Sequence, residues 1–135
     1  MMTATTGLVI EEQDLPKLEC LVDNMLKQSR ARCGLLINRD DGALIAARGF
    51  LESLDTTSLA ALAAGAFASA RELARLIGES EFSVLFHQGE REHIHVSLAG
   101  EHALLMTLFD DLTTVGLVRI CSREVCAQIE QVLRH

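Results

Sequence analysis

Apolar residues recur along the chain at two different spacings, which separate predicted helices from predicted strands. From Asp14 and again after Thr114 the apolar positions lie three or four residues apart, the period of an amphipathic helix. They are Leu15, Leu18, Val22, Met25 and Leu26 in the first segment and Val118, Cys121, Val125, Ile129 and Val132 in the second. Pro16 suits a first helical turn, and Thr113 or Thr114 is the expected N-cap of the last helix.

Short apolar runs predict strands. Residues 33–38 and 43–47 flank an Asp-Gly turn, which is the pattern of a β-hairpin, and residues 103–109 form another apolar run. These runs are apolar on successive residues rather than on alternate ones. We therefore expect both faces of the sheet to be covered.

A second hairpin is predicted where residues 82–88 and 93–98 flank the turn Gly89-Glu90-Arg91. If the apolar residues of both strands share one face, Phe86 faces Ile94, and the same register places His87 opposite His93. In that register Val84 faces Val96 and Phe82 faces Leu98.

Residues 56–77 predict a long helix, because eight of these 22 residues are alanine. We expect its core face to carry Leu59, Leu62, Ala66 and Leu73. Small residues also lie outside that face, namely Ala60, Ala61, Ala64 and Ala68. Small side chains let another helix approach closely, so a second contact surface is indicated.

The predicted order is helix, two strands, long helix, three strands and helix. It indicates an α/β fold of the α+β sandwich type, with helices on both faces of a mainly antiparallel five-stranded sheet. The 135 residues suffice for one domain, which we place at residues 14–135. Residues 1–13 lack a period and are expected to form a flexible tail.

Charge and hydropathy narrow the class of partner. The net charge of −7 would repel nucleic acid, and no stretch approaches the roughly 20 apolar residues of a membrane helix. We expect a cytoplasmic protein without a cofactor. The four cysteines form no CxxC pair and are expected to be free thiols packed as small hydrophobic residues.

Motifs for nucleotide chemistry do not occur in this sequence. Neither GxxxxGK[ST] nor GxGxxG is present, so nucleotide hydrolysis by this chain alone is not expected, and no catalytic residue is assigned.

Two clusters remain as candidate sites. His87, His93 and His95 would share one strand face and could hold zinc, although imidazoles on such a face more often hydrogen-bond to neighbours or water. Arg71 and Arg75 could reach a partner's phosphate or carboxylate, or could form ion pairs on a solvated helix face.

The order of elements, the RDDGALIAARG hairpin, the alanine-rich helix and the segment FSVLFHQGEREHIHVSLAGEHALLMTLFDDLTTVGLVRI together resemble the roadblock family of dynein-light-chain-like proteins. Within that family the chain is most similar to bacterial MglB-type members, from about Leu15 to Leu133. The resemblance implies the long helix on one sheet face and the N- and C-terminal helices on the other.

The resemblance also implies function. It predicts a homodimer in which the edge strands carrying Phe82, Val84 and Phe86 join and the long helices pack across the seam. It predicts a small Ras-like GTPase as partner, whose hydrolysis is stimulated by repositioning of its own catalytic groups. The expected dimer or GTPase contacts are Ala60, Ala64, Phe67, Ala68, Arg71 and Arg75.

Two alternatives stay open from the sequence. One is a dimeric scaffold that tethers a GTPase or a motility or polarity complex without changing its turnover. The other is a metal or small-molecule sensor that uses His87, His93 and His95.

Overall fold

The computed structural model describes residues 8–134, which form three helices and five strands. In chain order these are α1 (Asp14–Ser29), β1 (Cys33–Asn38), β2 (Leu44–Gly49), α2 (Thr56–Leu76), β3 (Val84–Gln88), β4 (Glu92–Leu98), β5 (Ala103–Asp110) and α3 (Val115–Leu133). The predicted order of elements is confirmed. None of the described helices is long and apolar enough to cross a membrane.

The ends of the helices follow local capping chemistry. α3 begins after Thr114, whose side chain accepts a hydrogen bond from the N–H of Leu117. α1 ends at Arg30, which adopts the left-handed conformation and donates its N–H to the carbonyl of Leu26. The cap expected at Thr113 or Thr114 is thus Thr114.

The five strands form one antiparallel sheet in the order β2-β1-β5-β4-β3. Each face of the sheet is covered by its own apolar core. Leu18, Leu36, Leu105 and Ile129 belong to the core under α1 and α3, whereas Phe67 belongs to the core under α2. The predicted α+β sandwich is confirmed, and of the described helices only α2 lies on its face of the sheet.

The predicted register of the second hairpin is wrong by one residue. Phe86 pairs with His95 and His87 pairs with Ile94, because the chain reverses through a tight turn in which Gly89 N–H bonds to the carbonyl of Glu92 at 3.2 Å. A Cβ at Gly89 would lie 2.4 Å from that oxygen, so the turn requires glycine. Since both sheet faces are covered, keeping apolar residues on one face was not a valid criterion for the register.

The predicted tail falls partly outside the described residues. Within residues 8–13, Leu8 is 7% exposed and lies in the core under α1 and α3, with Ile10 packed against the same core. Flexibility of residues 1–13 and a domain boundary at residue 14 stay predictions.

Candidate functional site

The inner face of α2 is built from small residues that bring the helix close to the sheet. Its buried residues are Ala60, Ala63, Ala64, Phe67, Ala70 and Ala74. The helix begins after Asp55, whose carboxylate accepts hydrogen bonds from the Ser58 N–H at 3.1 Å and the Ser58 hydroxyl at 2.7 Å. These bonds lower the pKa of Asp55 and keep it ionised at the positive end of the helix.

The opposite face of α2 is exposed and apolar. Leu62 is 72% exposed, Leu73 is 60% exposed and Leu76 is 83% exposed, although large aliphatic side chains are usually buried. Together with Gly65 and Ser69 they follow a spacing of three and four residues, so they form one continuous stripe. We call this stripe the outer surface of α2.

The predicted orientation of α2 is therefore corrected. Leu62 and Leu73 were expected in the core, yet they lie on the outer surface, while Ala60 and Ala64 are buried. The sequence contains a second stripe with helical spacing, centred on Phe67, and this stripe faces the sheet because it places the one aromatic residue of the helix in the core. That alternative stripe was the signal that could have identified the outer surface.

Gly65 in the middle of α2 is not required by the packing or backbone conformation of the described residues. Its φ is not positive, and a Cβ at this position would meet no atom within 4 Å among the described residues. Glycine in a helix interior costs about 1 kcal/mol relative to alanine. Close approach of another helix to this side of α2 is one arrangement in which glycine would be favoured.

The two candidate arginines lie on a different side of α2 from the outer surface, with Arg71 next to the buried face, and both are already paired. Arg75 bonds to Glu72 one turn earlier at 3.0 Å, and Arg71 lies 3.9 Å from Glu81. Arg39 also pairs with Glu81 and lies over the ring of Phe67. Both candidate guanidiniums are more than half exposed, which leaves them accessible to a partner.

Strand β3 is an edge of the sheet, bonded to β4 on one side only. Val84 and Phe86 lie on it, whereas Phe82 precedes its first residue. Phe86 is 40% exposed, and its ring stacks at 6.1 Å on Phe109. An unpaired edge with an exposed aromatic ring is a template for adding a further strand.

The histidines do not form one cluster. His93 and His95 face α3, whereas the true register turns His87 toward the α2 side. His93 accepts from the Gly89 N–H at 3.2 Å and bonds to Asp111 at 3.1 Å, so both ring nitrogens have partners. Within residues 8–134 no three metal-ligating side chains come together.

The sequence-predicted contacts divide by burial. Ala60 is 0% exposed, Ala64 is 9% exposed and Phe67 is 1% exposed, so their side chains contact the protomer's own sheet rather than a partner. Ala68, Arg71 and Arg75 are exposed. The candidate contact surface therefore excludes the three buried residues and consists of the outer surface of α2 together with the exposed Ala68, Arg71 and Arg75.

Comparison with known proteins assigns the fold and the family. The chain is similar to Myxococcus xanthus MglB, with 34% identity, a TM-score of 0.85 and coverage of 93% of both chains. It is also similar to the gliding protein MglB of Thermus thermophilus, with 31% identity, a TM-score of 0.87 and coverage of 96% of this chain and 98% of that one. A third structure, described as MglB with tetrameric arrangement, has 30% identity, a TM-score of 0.88 and coverage of 96% and 97%.

Comparison with the curated proteins gives no match. The Roadblock/LC7 domain matches residues 18–109, a segment that runs from α1 through β5 and includes α2 and the β3 edge. This chain belongs to the Roadblock/LC7 domain family.

Proposed function

We propose that this protein is a cytoplasmic homodimer that regulates a small Ras-like GTPase, binding the GTP form and stimulating hydrolysis by repositioning the GTPase's own catalytic groups. The observation that carries the proposal is the exposed apolar outer surface of α2, in a chain similar to MglB over more than nine-tenths of its length. The relative from Thermus thermophilus is a gliding protein, which favours a GTPase of motility or polarity.

Homodimerisation would use the β3 edge and the outer surface of α2 together. Pairing of two β3 strands extends the sheet into a second protomer and provides partners for the free backbone groups of the edge. The same step brings two α2 helices side by side on one face of the joined sheet. Burial of one leucine side chain contributes up to about 1.5–3 kcal/mol, so burial of Leu62, Leu73 and Leu76 from each copy would favour association and offset part or all of its entropic cost.

The GTPase would contact the flank of α2 at Ala68, Arg71 and Arg75. Phosphoryl transfer depends mainly on positioning and on stabilisation of charge, so a partner that orders the switch segments can raise the rate without donating a group. The two arginines would then contribute to binding and not to the chemical step.

Single-turnover GTP hydrolysis tests this proposal. A Ras-like GTPase from the same cell is loaded with GTP and mixed with saturating protein. We expect acceleration of at least tenfold, which is about 1.4 kcal/mol of barrier. Complex formation without acceleration would support the scaffold function instead, and the absence of a complex would contradict both.

The double variant Arg71→Gln/Arg75→Gln separates binding from chemistry. We expect it to raise the concentration needed for half-maximal stimulation while leaving the maximal rate unchanged. The matched control is Arg119→Gln/Arg123→Gln on α3, which removes the same charge from the other side of the sheet. Loss of the maximal rate in the α2 variant alone would mean that an arginine acts in the chemical step.

A further inference from the structure

A cavity of about 310 Å³ lies between α3 and the hairpin of β3 and β4. His95, Ser97 and Ser122 form its buried wall, whereas Arg119 and Arg123 are exposed. His95 and Ser97 face α3 because their partners on β5 are Thr107 and Leu105. The cavity therefore lies on the opposite side of the sheet from α2, away from the surface discussed above.

Hydrogen bonding differs along the buried wall. The hydroxyls of Ser97 and Ser122 lie 2.7 Å apart, and the Ser97 oxygen lies 3.3 Å from the sulfur of Cys126. His95 is 1% exposed, and neither of its ring nitrogens has a partner in the described part of the chain. Buried polar atoms are nearly always paired, so the ring of His95 needs a polar partner, which a molecule in the cavity would supply.

The arginines that line the cavity are also available to a ligand. Neither Arg119 nor Arg123 forms an ion pair within residues 8–134, whereas Arg39, Arg48, Arg71 and Arg75 do. Glu130 also lines the cavity, but its carboxylate bonds to Arg134 at 3.1 Å. Two unpaired guanidiniums beside one cavity provide a positive site in a chain of net charge −7.

The protonation state of His95 indicates which functional group of a ligand could hydrogen-bond to it. Burial and the nearby charge of Arg119 lower the pKa of His95, so the ring is neutral at neutral pH. A neutral imidazole has one donor nitrogen and one acceptor nitrogen. A hydroxyl group can both donate and accept, and is therefore a suitable partner for either ring nitrogen.

We propose that this cavity binds a small organic anion that carries a hydroxyl group, with its phosphate or carboxylate at Arg119 and Arg123 and its hydroxyl at His95. The proposal is independent of the GTPase contact, because His95, Arg119 and Arg123 are not among the residues proposed to contact the GTPase. Phosphate and carboxylate compounds share this chemistry, and the choice of probe distinguishes them.

NMR titration of the full-length protein tests the proposal through the ring resonances of His95. The probes are glycerol 3-phosphate and glycerate, with neutral glycerol as the comparison. We expect a saturable shift of the His95 resonances with at least one anion, and no such shift with glycerol at the same concentration. The anion that binds identifies the class of ligand.

Substitution of the exposed arginines tests the proposal without altering the buried core. In Arg119→Gln/Arg123→Gln we expect the affinity for the anion to fall at least tenfold, while Arg71→Gln/Arg75→Gln on α2, which removes the same charge, binds as the wild type does. The proposal is overturned if neither anion gives a saturable shift up to about 10 mM, which is about tenfold above a Kd of 1 mM. It is also overturned if glycerol acts as well as the anions or if the α3 double variant binds unchanged.

Discussion

At the scale of single residues, burial and hydrogen-bond partners determine what each candidate side chain can bind. His93 and His95 both lie on β4 and face α3, yet His93 has two hydrogen-bond partners and His95 has none among the described residues. The sequence placed both on one strand face correctly. It could not distinguish them, because the partners of His93 come from the hairpin turn and from the loop before α3.

Burial of His95 makes the stability of the protein depend on pH. The unfolded chain takes up a proton near the ordinary pKa of 6.5, whereas the folded chain takes it up only at lower pH. The contribution of neutral His95 to the stability of the folded state is therefore complete above pH 6.5 and is lost as the pH falls below that value. We expect the free energy of unfolding to fall with a slope of up to about 1.4 kcal/mol per pH unit in that window.

Denaturant unfolding at several pH values measures this slope. We expect His95→Gln to flatten it, whatever the variant does to stability at pH 7, and the exposed His87→Gln to retain it. An unchanged slope in His95→Gln would mean that another group controls the pH dependence.

The cysteines give a second prediction at this scale. All four thiols within the described residues are free, and only Cys20 is exposed. Burial raises the pKa of Cys33 to about 11 and also raises the pKa of Cys121 and Cys126, so little thiolate is present at pH 8. We expect an alkylating reagent to modify one thiol per native chain rapidly and four after denaturation. Rapid labelling of Cys20→Ser would contradict this assignment.

At the scale of elements, the positions of α2 and β3 along the chain were predictable from the sequence, but their orientation in the fold was not. The predicted bounds of the helix differ from the observed ones by one residue and those of the strand by two, because their periods and turn residues are local signals. The face of α2 and the register of β3 were not, because both depend on what covers the sheet. For α2 the decisive choice is between Leu62 and Phe67, and a helix with apolar residues on two sides leaves that choice to tertiary packing.

Gly65 provides a prediction specific to α2. Since a Cβ there meets open space, we expect Gly65→Gln to leave the fold of the protomer intact and to weaken self-association by obstructing close helix packing. Ala127→Gln, which places the same side chain at an exposed position of α3, is the control. Sedimentation of both variants across a concentration series measures the effect. Equal self-association of the Gly65 variant and the control would remove Gly65 from the proposed interface.

At the scale of the whole molecule, the two-sided sheet explains how one small domain presents two independent surfaces. The core under α1 and α3 and the core under α2 are separate clusters on opposite faces. The outer surface of α2 lies on one side of the sheet and the cavity with His95 lies on the other, where Val84 of the β3 edge also lines it. The fold class was predictable from the order of elements. The contact surfaces were not predictable from the sequence. Leu62, Leu73 and Leu76 are exposed because of the face that α2 turns toward the sheet, and this depends on tertiary packing.

Light scattering of the purified protein tests most directly the claim that the outer surface of α2 joins two copies. We expect the wild type to have at least twice the 14.7 kDa mass of one chain, and Leu62→Glu/Leu73→Glu to have the mass of one chain with its helical content unchanged. The matched control is Leu112→Glu, at a residue that is 77% exposed before α3, and this variant should associate as the wild type does. A wild-type mass of one chain at all concentrations, or a double variant that still associates, would contradict the account.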